Sequence, residues 1–358
     1  MADISNLRVI GFGNPLLDIS AVVEDSEFEN WKLKPGDIVL APDVGATPEM
    51  YKAYMAKYPV EYIAGGATQN TIRVCQWMTG AAGATAYVGS TGSDENGAML
   101  EKCAREDGVN VQYMKQPTTP TGTCAVLVSK TGERALCTSL GAANEYNTSH
   151  YETPAIQAMV NAAKIFYSAG FFITVSVPTI VANGKHCAAT GKTMCVNLSA
   201  PFICEVPPFR MALDNEIMPY VDILFGNETE AASYGSGKSF GTPMEGWGCG
   251  TTDVGTIALK IAAMPKASGT RPRIVVFTQG KDPTLVACGG VLHKFPVPPL
   301  AKELLVDTNG AGDAFVGGFL AKLACGCDLE TCVNAGNYAA RQIIQVAGCK
   351  IPSFAPAY

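Results

Sequence analysis

The chain has 358 residues, 47% of them hydrophobic and 16% charged, and carries a formal net charge of −6. That length is enough to bury a large core, with or without a smaller satellite domain, and the balance excludes a disordered chain and a membrane-spanning one. A general nucleic-acid binder is excluded too, because phosphate backbones demand basic stripes. The first residues have neither the basic region nor the apolar run of a signal peptide. Thirteen cysteines scattered through apolar runs read as reduced side chains of a cytoplasmic protein, with the nucleus left open. Cys325, Cys327 and Cys332 lack a second C-x-x-C pair and a nearby histidine, so they read as buried instead of zinc-binding.

In chain order, residues 7–10 form a short apolar strand that ends in Gly11-Phe12-Gly13-Asn14-Pro15, which puts Asn14 and Asp18 at or just beyond a strand end. Residues 19–23 and 37–40 are short and β-branched, as hairpin-like or edge strands outside the main core would be. The run Ala64-Gly65-Gly66-Ala67-Thr68-Gln69-Asn70 then enters a helix through a glycine-rich loop, with Ile72, Val74, Cys75 and Met78 on its apolar positions. Strands are expected at 84–88, 165–168, 193–198, 221–225 and 274–277, and a helix at 98–107. This alternation predicts an α/β fold with a mostly parallel sheet and helices on both faces, whose ligands gather at the strands' carboxyl ends. Residues 123–129 and 134–138, joined across Thr131-Gly132-Glu133, read as a hairpin with no helix between its strands. With 16–64 it predicts a small β lid. The expected division is a large nucleotide-binding domain of 1–15, 65–117 and 142–358, and a lid of 16–64 and 118–141. Residues 233–252, rich in Gly and Ser, are expected to be a mobile loop.

The strongest chemical signal is Asp307-Thr308-Asn309-Gly310-Ala311-Gly312-Asp313, a glycine-rich turn followed by a helix with Phe315, Phe319 and Leu323 at helical spacing. Free amides of Gly310, Ala311 and Gly312 at a positive helix end make an anion hole. Asp313, in the first turn and expected to stay ionised, is placed to take the proton of an attacking alcohol. Read locally, the same run is also a glycine turn capped by an aspartate. Asn227 and Glu230 follow a strand and share one face of a helical turn. Their oxygens suit Mg²⁺, directly or through water, and equally suit the acidic start of a helix. Gly237-Lys238-Ser239 and Gly191-Lys192-Thr193 imitate the end of a Walker A loop, but Ala232 and His186 stand where its first glycine belongs. Gly11-x-Gly13 lacks the third glycine of a dinucleotide fingerprint, which argues against an NAD-dependent oxidoreductase.

The Gly-Ala-Gly-Asp run and the Asn-x-x-Glu pair resemble the ribokinase-like (PfkB) sugar and nucleoside kinases. Residues 13–20, 64–70, 197–202, 220–231 and 307–320 extend the resemblance nearly end to end, towards the nucleoside kinases of that family. It implies ATP-dependent, Mg²⁺-assisted phosphorylation of the 5′-hydroxyl of adenosine in purine salvage, by a chain acting as a monomer on adenosine and ATP. The same chemistry on another nucleoside or a sugar is the nearest alternative. A catalytically silent nucleoside-binding protein is the alternative of another class. The resemblance further implies that Asn14, Asp18, Gly66 and Asn70 hold the ribose hydroxyls, and that Leu16, Cys124, Leu136 and Phe202 wall the base pocket. Phe171 or Phe172 stacks on the base, with Phe172 the choice made here, and Arg134 reaches from the lid to the transferred phosphate. Asn227, Thr278, Gly280, Ala311, Gly312 and Asn337 are implied on the ATP side. The pattern departs at Ile38, where the enzymes it resembles carry a glutamine near the base.

Overall fold

The computed structural model describes residues 4–130, 132–267 and 271–358. Its main sheet has nine strands: β1 (Val9–Phe12), β5 (Thr85–Gly92), β6 (Asn110–Gln116), β9 (Ile165–Ala169), β10 (Thr193–Asn197), β11 (Ile223–Asn227), β14 (Ile274–Gln279), β15 (Asp282–Cys288) and β16 (Val291–Phe295). They lie in the order β16-β15-β14-β11-β10-β9-β1-β5-β6. Pairing is parallel from β14 to β6 and antiparallel only where β15 and β16 extend the other edge.

The central strands β1, β5 and β9 are buried along their whole length, as parallel strands covered on both faces must be. Alternate residues feed two separate cores. Val9, Tyr87, Tyr167, Phe225 and Val276 join one with the helices Ala67–Thr79, Ala311–Leu323 and Leu329–Ile343. Ile10, Val88, Phe166, Leu224 and Phe277 join the other with Pro154–Ala162, Val177–Thr190 and Val254–Ala262.

A second sheet of five strands has the order β3-β8-β7-β2-β4, from β2 (Leu16–Val22), β3 (Ile38–Leu40), β4 (Glu61–Gly65), β7 (Thr123–Val128) and β8 (Arg134–Ser139). Here β7 and β8 form an antiparallel pair, but β2 lies inside the sheet, parallel to β7 and antiparallel to β4. The expectation that this region stays outside the core is corrected. Leu17, Ile19 and Ala21 are buried with Trp31, Tyr51 and Tyr54, because short helices cover that face. The opposite face carries Leu16 and Asp18 of β2, Cys124 of β7 and Leu136 of β8, with Asp18 directly beside Cys124. Residues 233–252 contain some regular structure. The helix Glu228–Ser236 runs into them, and β12 (Lys238–Ser239) pairs with β13 (Thr242–Pro243).

Candidate active site

Two loops bring the first sheet to the second. Beyond β1, Gly13-Asn14-Pro15 leads into β2, and beyond β4, Gly66 opens the helix Ala67–Thr79. Gly66 has φ of +92°, and a Cβ there would stand 2.2 Å from the Asn14 carbonyl oxygen, so only glycine allows this approach. The Asn14 side-chain oxygen is buried beside this junction with no hydrogen-bond partner. Asp18 is half-buried on the neighbouring strand. Desolvation pushes its carboxyl up to about 7, although the Arg73 cation opposes the shift.

At the opposite wall, Gly310 adopts the left-handed conformation (φ 78°) and starts the helix Ala311–Leu323. Of the three amides expected to face an anion, that of Ala311 is engaged by Thr308 O at 3.2 Å. Among the described residues, the amides of Gly310, Gly312 and Asp313 donate to no protein group. The unengaged donors at this helix end are therefore a shifted set from the three expected. Asp313 Oδ2 accepts a hydrogen bond from Asn70 Nδ2 at 3.0 Å. Its carboxyl is also pushed up to about 7, first by desolvation and further by the charges of Glu230 and Asp18, with the Asn70 bond opposing. The expectation that a first-turn aspartate simply stays ionised is thus corrected, because burial outweighs the helix end.

Arg134 is held in the structure and not left free on its hairpin. Its side chain is 9% exposed and forms a 2.5 Å ion pair with Asp307, which is 5% exposed. Asp307 also accepts the amides of Asn309 and Gly348, so one carboxylate joins the second sheet, the glycine-rich turn and the C-terminal segment. The Arg134 Nε has no partner.

The choice of Phe172 is corrected. Residues Gly170–Thr174 form a 3-10 turn, not a strand, so strand alternation does not apply. Phe172 is 0% exposed and packs against Tyr146 inside the core. Phe171 is half-buried and meets Phe202, with ring centroids 6.0 Å apart. The Ile38 side chain lies outside the described residues.

Asn227 and Glu230 form a reciprocal capping box: Asn227 Oδ1 accepts the Glu230 amide at 2.8 Å, and Glu230 accepts from the Asn227 amide and Nδ2 at 3.0 and 2.9 Å. Desolvation pushes the Glu230 carboxyl up to about 7. The pair lines a small cavity with Asn197, Thr278 and Gly312. No cluster of three or more acidic, histidine or cysteine side chains suited to a metal occurs among the described residues. A cleft of about 650 Å³ then brings Thr278, Gly280, Ala311, Gly312 and Asn337 together, walled by Pro298, Leu300 and Ile344. Asn337 Nδ2 is buried without a partner. Asn197, Asp307 and Arg73 received no role from sequence reasoning.

Residues 45–356 match the model of the pfkB family carbohydrate kinases. The chain is 48% identical to Arabidopsis thaliana adenosine kinase 2, over 98% of both chains. It belongs to the pfkB family, among the adenosine kinases. Its fold matches Anopheles gambiae adenosine kinase in complex with P1,P4-di(adenosine-5) tetraphosphate with a TM-score of 0.83 and 44% identity, covering 99% of this chain and 100% of that one. Trypanosoma brucei brucei adenosine kinase matches with a TM-score of 0.87 and 32% identity, covering 95% and 99%.

Membership in this family agrees with the absence of a Walker A loop. Lys192 donates to the carbonyls of Val160 and Asn161, and Lys238 lies in the two-residue strand β12, so neither Gly-Lys run cradles a phosphate. No helix among the described residues is long and apolar enough to cross a membrane.

Proposed function

We propose that the chain transfers the γ-phosphoryl group of ATP to the 5′-hydroxyl of adenosine, with Asp313 as the base. The observation that carries the reading is the position of Asp313. Its carboxylate bonds to Asn70 and sits at a helix start with unengaged amides, and the adjoining Ala311 and Gly312 line the large cleft. The nucleoside lies under the second sheet against Leu16, Asp18, Cys124 and Leu136, with Asn14, Gly66 and Asn70 at its ribose and Phe171 and Phe202 at its base. ATP occupies the cleft between Gly280 and Asn337, its γ-phosphate at the amides of Gly310, Gly312 and Asp313. A carboxyl near 7 is well matched to accept a proton at neutral pH. Arg134 meets the charge that spreads over the transferring group. Its unpartnered Nε supports that role, and residues 16–64 and 118–141 act as the lid that carries it.

Magnesium fits the residues through water. The oxygens of Glu230 and Asn227 already serve the capping box, and a Mg²⁺ that keeps its waters reaches them without breaking it. When bound, the ion neutralises phosphate charge. We further read the chain as cytoplasmic, which its free cysteines support.

The test is a coupled ADP-release assay over adenosine, inosine, guanosine, 2′-deoxyadenosine and ribose. Adenosine turns over best, and 2′-deoxyadenosine falls behind because it leaves buried polar groups unpaired. Equal efficiency for the two nucleosides refutes the ribose assignment, and turnover of ribose alone refutes the nucleoside reading.

A further inference from the structure

Arg73 lies midway along the helix Ala67–Thr79 with a side chain only 3% exposed. Its Nε donates to Asp107 at 2.6 Å, while Nη1 donates to the carbonyls of Ala64 at 2.5 Å and Cys349 at 3.0 Å and reaches Asn70 Oδ1 at 3.4 Å. One guanidinium thus ties the end of β4, the helix and the C-terminal segment together immediately behind Asn70.

We infer that Arg73 is a positioning residue for the phosphoryl transfer proposed above: it fixes which way the Asn70 carboxamide faces Asp313. The argument rests on donor inventory. A guanidinium has no acceptor, so the end of Asn70 that faces it must be the oxygen, and Nδ2 must turn towards Asp313. The opposite orientation would set donor against donor at Arg73 and oxygen against carboxylate at Asp313. An ionised Asp313 enforces the same choice alone. Once it has taken a proton it no longer does, because a carboxyl group can then donate as well as accept. Arg73 keeps Nδ2 in place through that half of the cycle.

Two consequences follow for atoms. Asp313 Oδ2 already accepts from Asn70, so the substrate proton goes to Oδ1. Asn70 has one hydrogen left on Nδ2, so that end serves a ribose oxygen as donor only. That hydroxyl must pass its own proton to another acceptor, and Asp18 is the carboxylate on the facing strand. The charge of Arg73 also favours the ionised form of Asp18.

The experiment measures kcat and adenosine KM, with ATP, for Arg73→Met, Arg73→Gln and Arg73→Lys, for Asp107→Asn, and for Asn70→Ala alone and with Arg73→Met. Losing a hydrogen bond to a charged group costs roughly 10- to 100-fold, so kcat of Arg73→Met falls by that factor while KM moves less. Arg73→Gln, whose carboxamide can present either a donor or an oxygen to Asn70, loses a smaller part of kcat and gives the readout if Arg73→Met does not fold. Arg73→Lys, still a donor-only cation, recovers most of kcat. Asp107→Asn breaks the ion pair but not the contact with Asn70, so melting drops while kcat holds. In the Asn70→Ala background Arg73→Met adds little. Equal kcat losses in Asp107→Asn and Arg73→Met, no recovery with lysine, or additive losses in the double variant overturn the inference and leave Arg73 a packing residue. Absence of turnover in the unmodified chain defeats the kinase reading itself.

Discussion

Asp313→Asn should abolish most turnover and make the protein more stable at alkaline pH. The Asp313 carboxyl is raised from 3.8 to about 7, so between those values the unfolded chain has released its proton and the native chain has not. Stability therefore falls as pH rises from about 4 to about 7 and levels off above it. Asparagine removes that penalty. The gain is near zero at about pH 4, grows to about pH 7 and stays constant beyond. The displacement from 3.8 to about 7 corresponds to ~4 kcal/mol as a ceiling. Because Asp313 keeps an edge in water, ~1–2 kcal/mol is the better expectation after solvent screening. With an unfolding entropy of about 2 cal/mol/K per residue, that raises Tm by roughly 1–3 °C at about pH 8.5. Asparagine can still accept the Asn70 hydrogen bond, so folding is not otherwise disturbed. Differential scanning calorimetry across the pH range, with ADP release measured on the same samples, reads both effects. A turnover loss below roughly 100-fold would refute the base assignment, and a Tm difference independent of pH would refute the desolvated carboxyl.

Arg134→Ala is expected to lower kcat by roughly 10²-fold or more while adenosine Kd changes little, and Arg134→Lys to recover only part, since a point charge cannot both pair with Asp307 and meet phosphate as a planar fork does. Loss confined to Kd in these variants would make Arg134 a ground-state contact, and unchanged kcat would make it a structural partner of Asp307. Phe171→Ala and Phe172→Ala should separate by kind: the first raises adenosine KM with stability nearly intact, whereas the second costs about 3–5 kcal/mol of stability by emptying a core site. Chemical denaturation beside adenosine KM measurements checks both, and the reverse pattern would restore Phe172 to the base.

The large sheet was legible because its strands are continuous apolar runs ending in glycine or polar turns, a pattern that survives without knowing the partners. The glycine-rich turn was legible for the same local reason. What failed depended on distant residues or on a misjudged element. The ion pair that buries Arg134 is not legible locally, because its partner Asp307 lies 173 positions away. Phe172 was chosen from two adjacent rings as if on a strand, but the chain turns at Gly170 and sends that ring into the core. The parallel pairing of β2 with β7 joins segments about a hundred residues apart, so β2 read as an edge. Arg73 carries a charge, which sequence reading places at the surface. Yet every residue from Thr68 to Met78 of its helix is buried. The one visible hint is that this helix follows a ligand-facing glycine loop, where a buried cation has carboxylates to balance.

Three carboxyl groups, Asp18, Glu230 and Asp313, are each displaced to about 7, and each chiefly by desolvation. Proton affinity therefore does not say which one is the base, and geometry has to decide. Glu230 spends both oxygens on the Asn227 cap. Asp18 lies on a strand beside Cys124, with Arg73 as its countercharge and no helix end behind it. Asp313 alone combines a free oxygen, a fixed donor on its other oxygen and a helix start with unengaged amides. On the proposed reading those amides hold the phosphoryl group that the deprotonating hydroxyl attacks, so the base and the phosphate site belong to the same turn of chain. The other two carboxyls then act as neighbours that raise the proton affinity of Asp313, Asp18 on the proposed nucleoside side and Glu230 on the proposed nucleotide side. Occupying either side with hydroxyl donors or a cation lowers that affinity, which couples full assembly of the ternary complex to the readiness of the base.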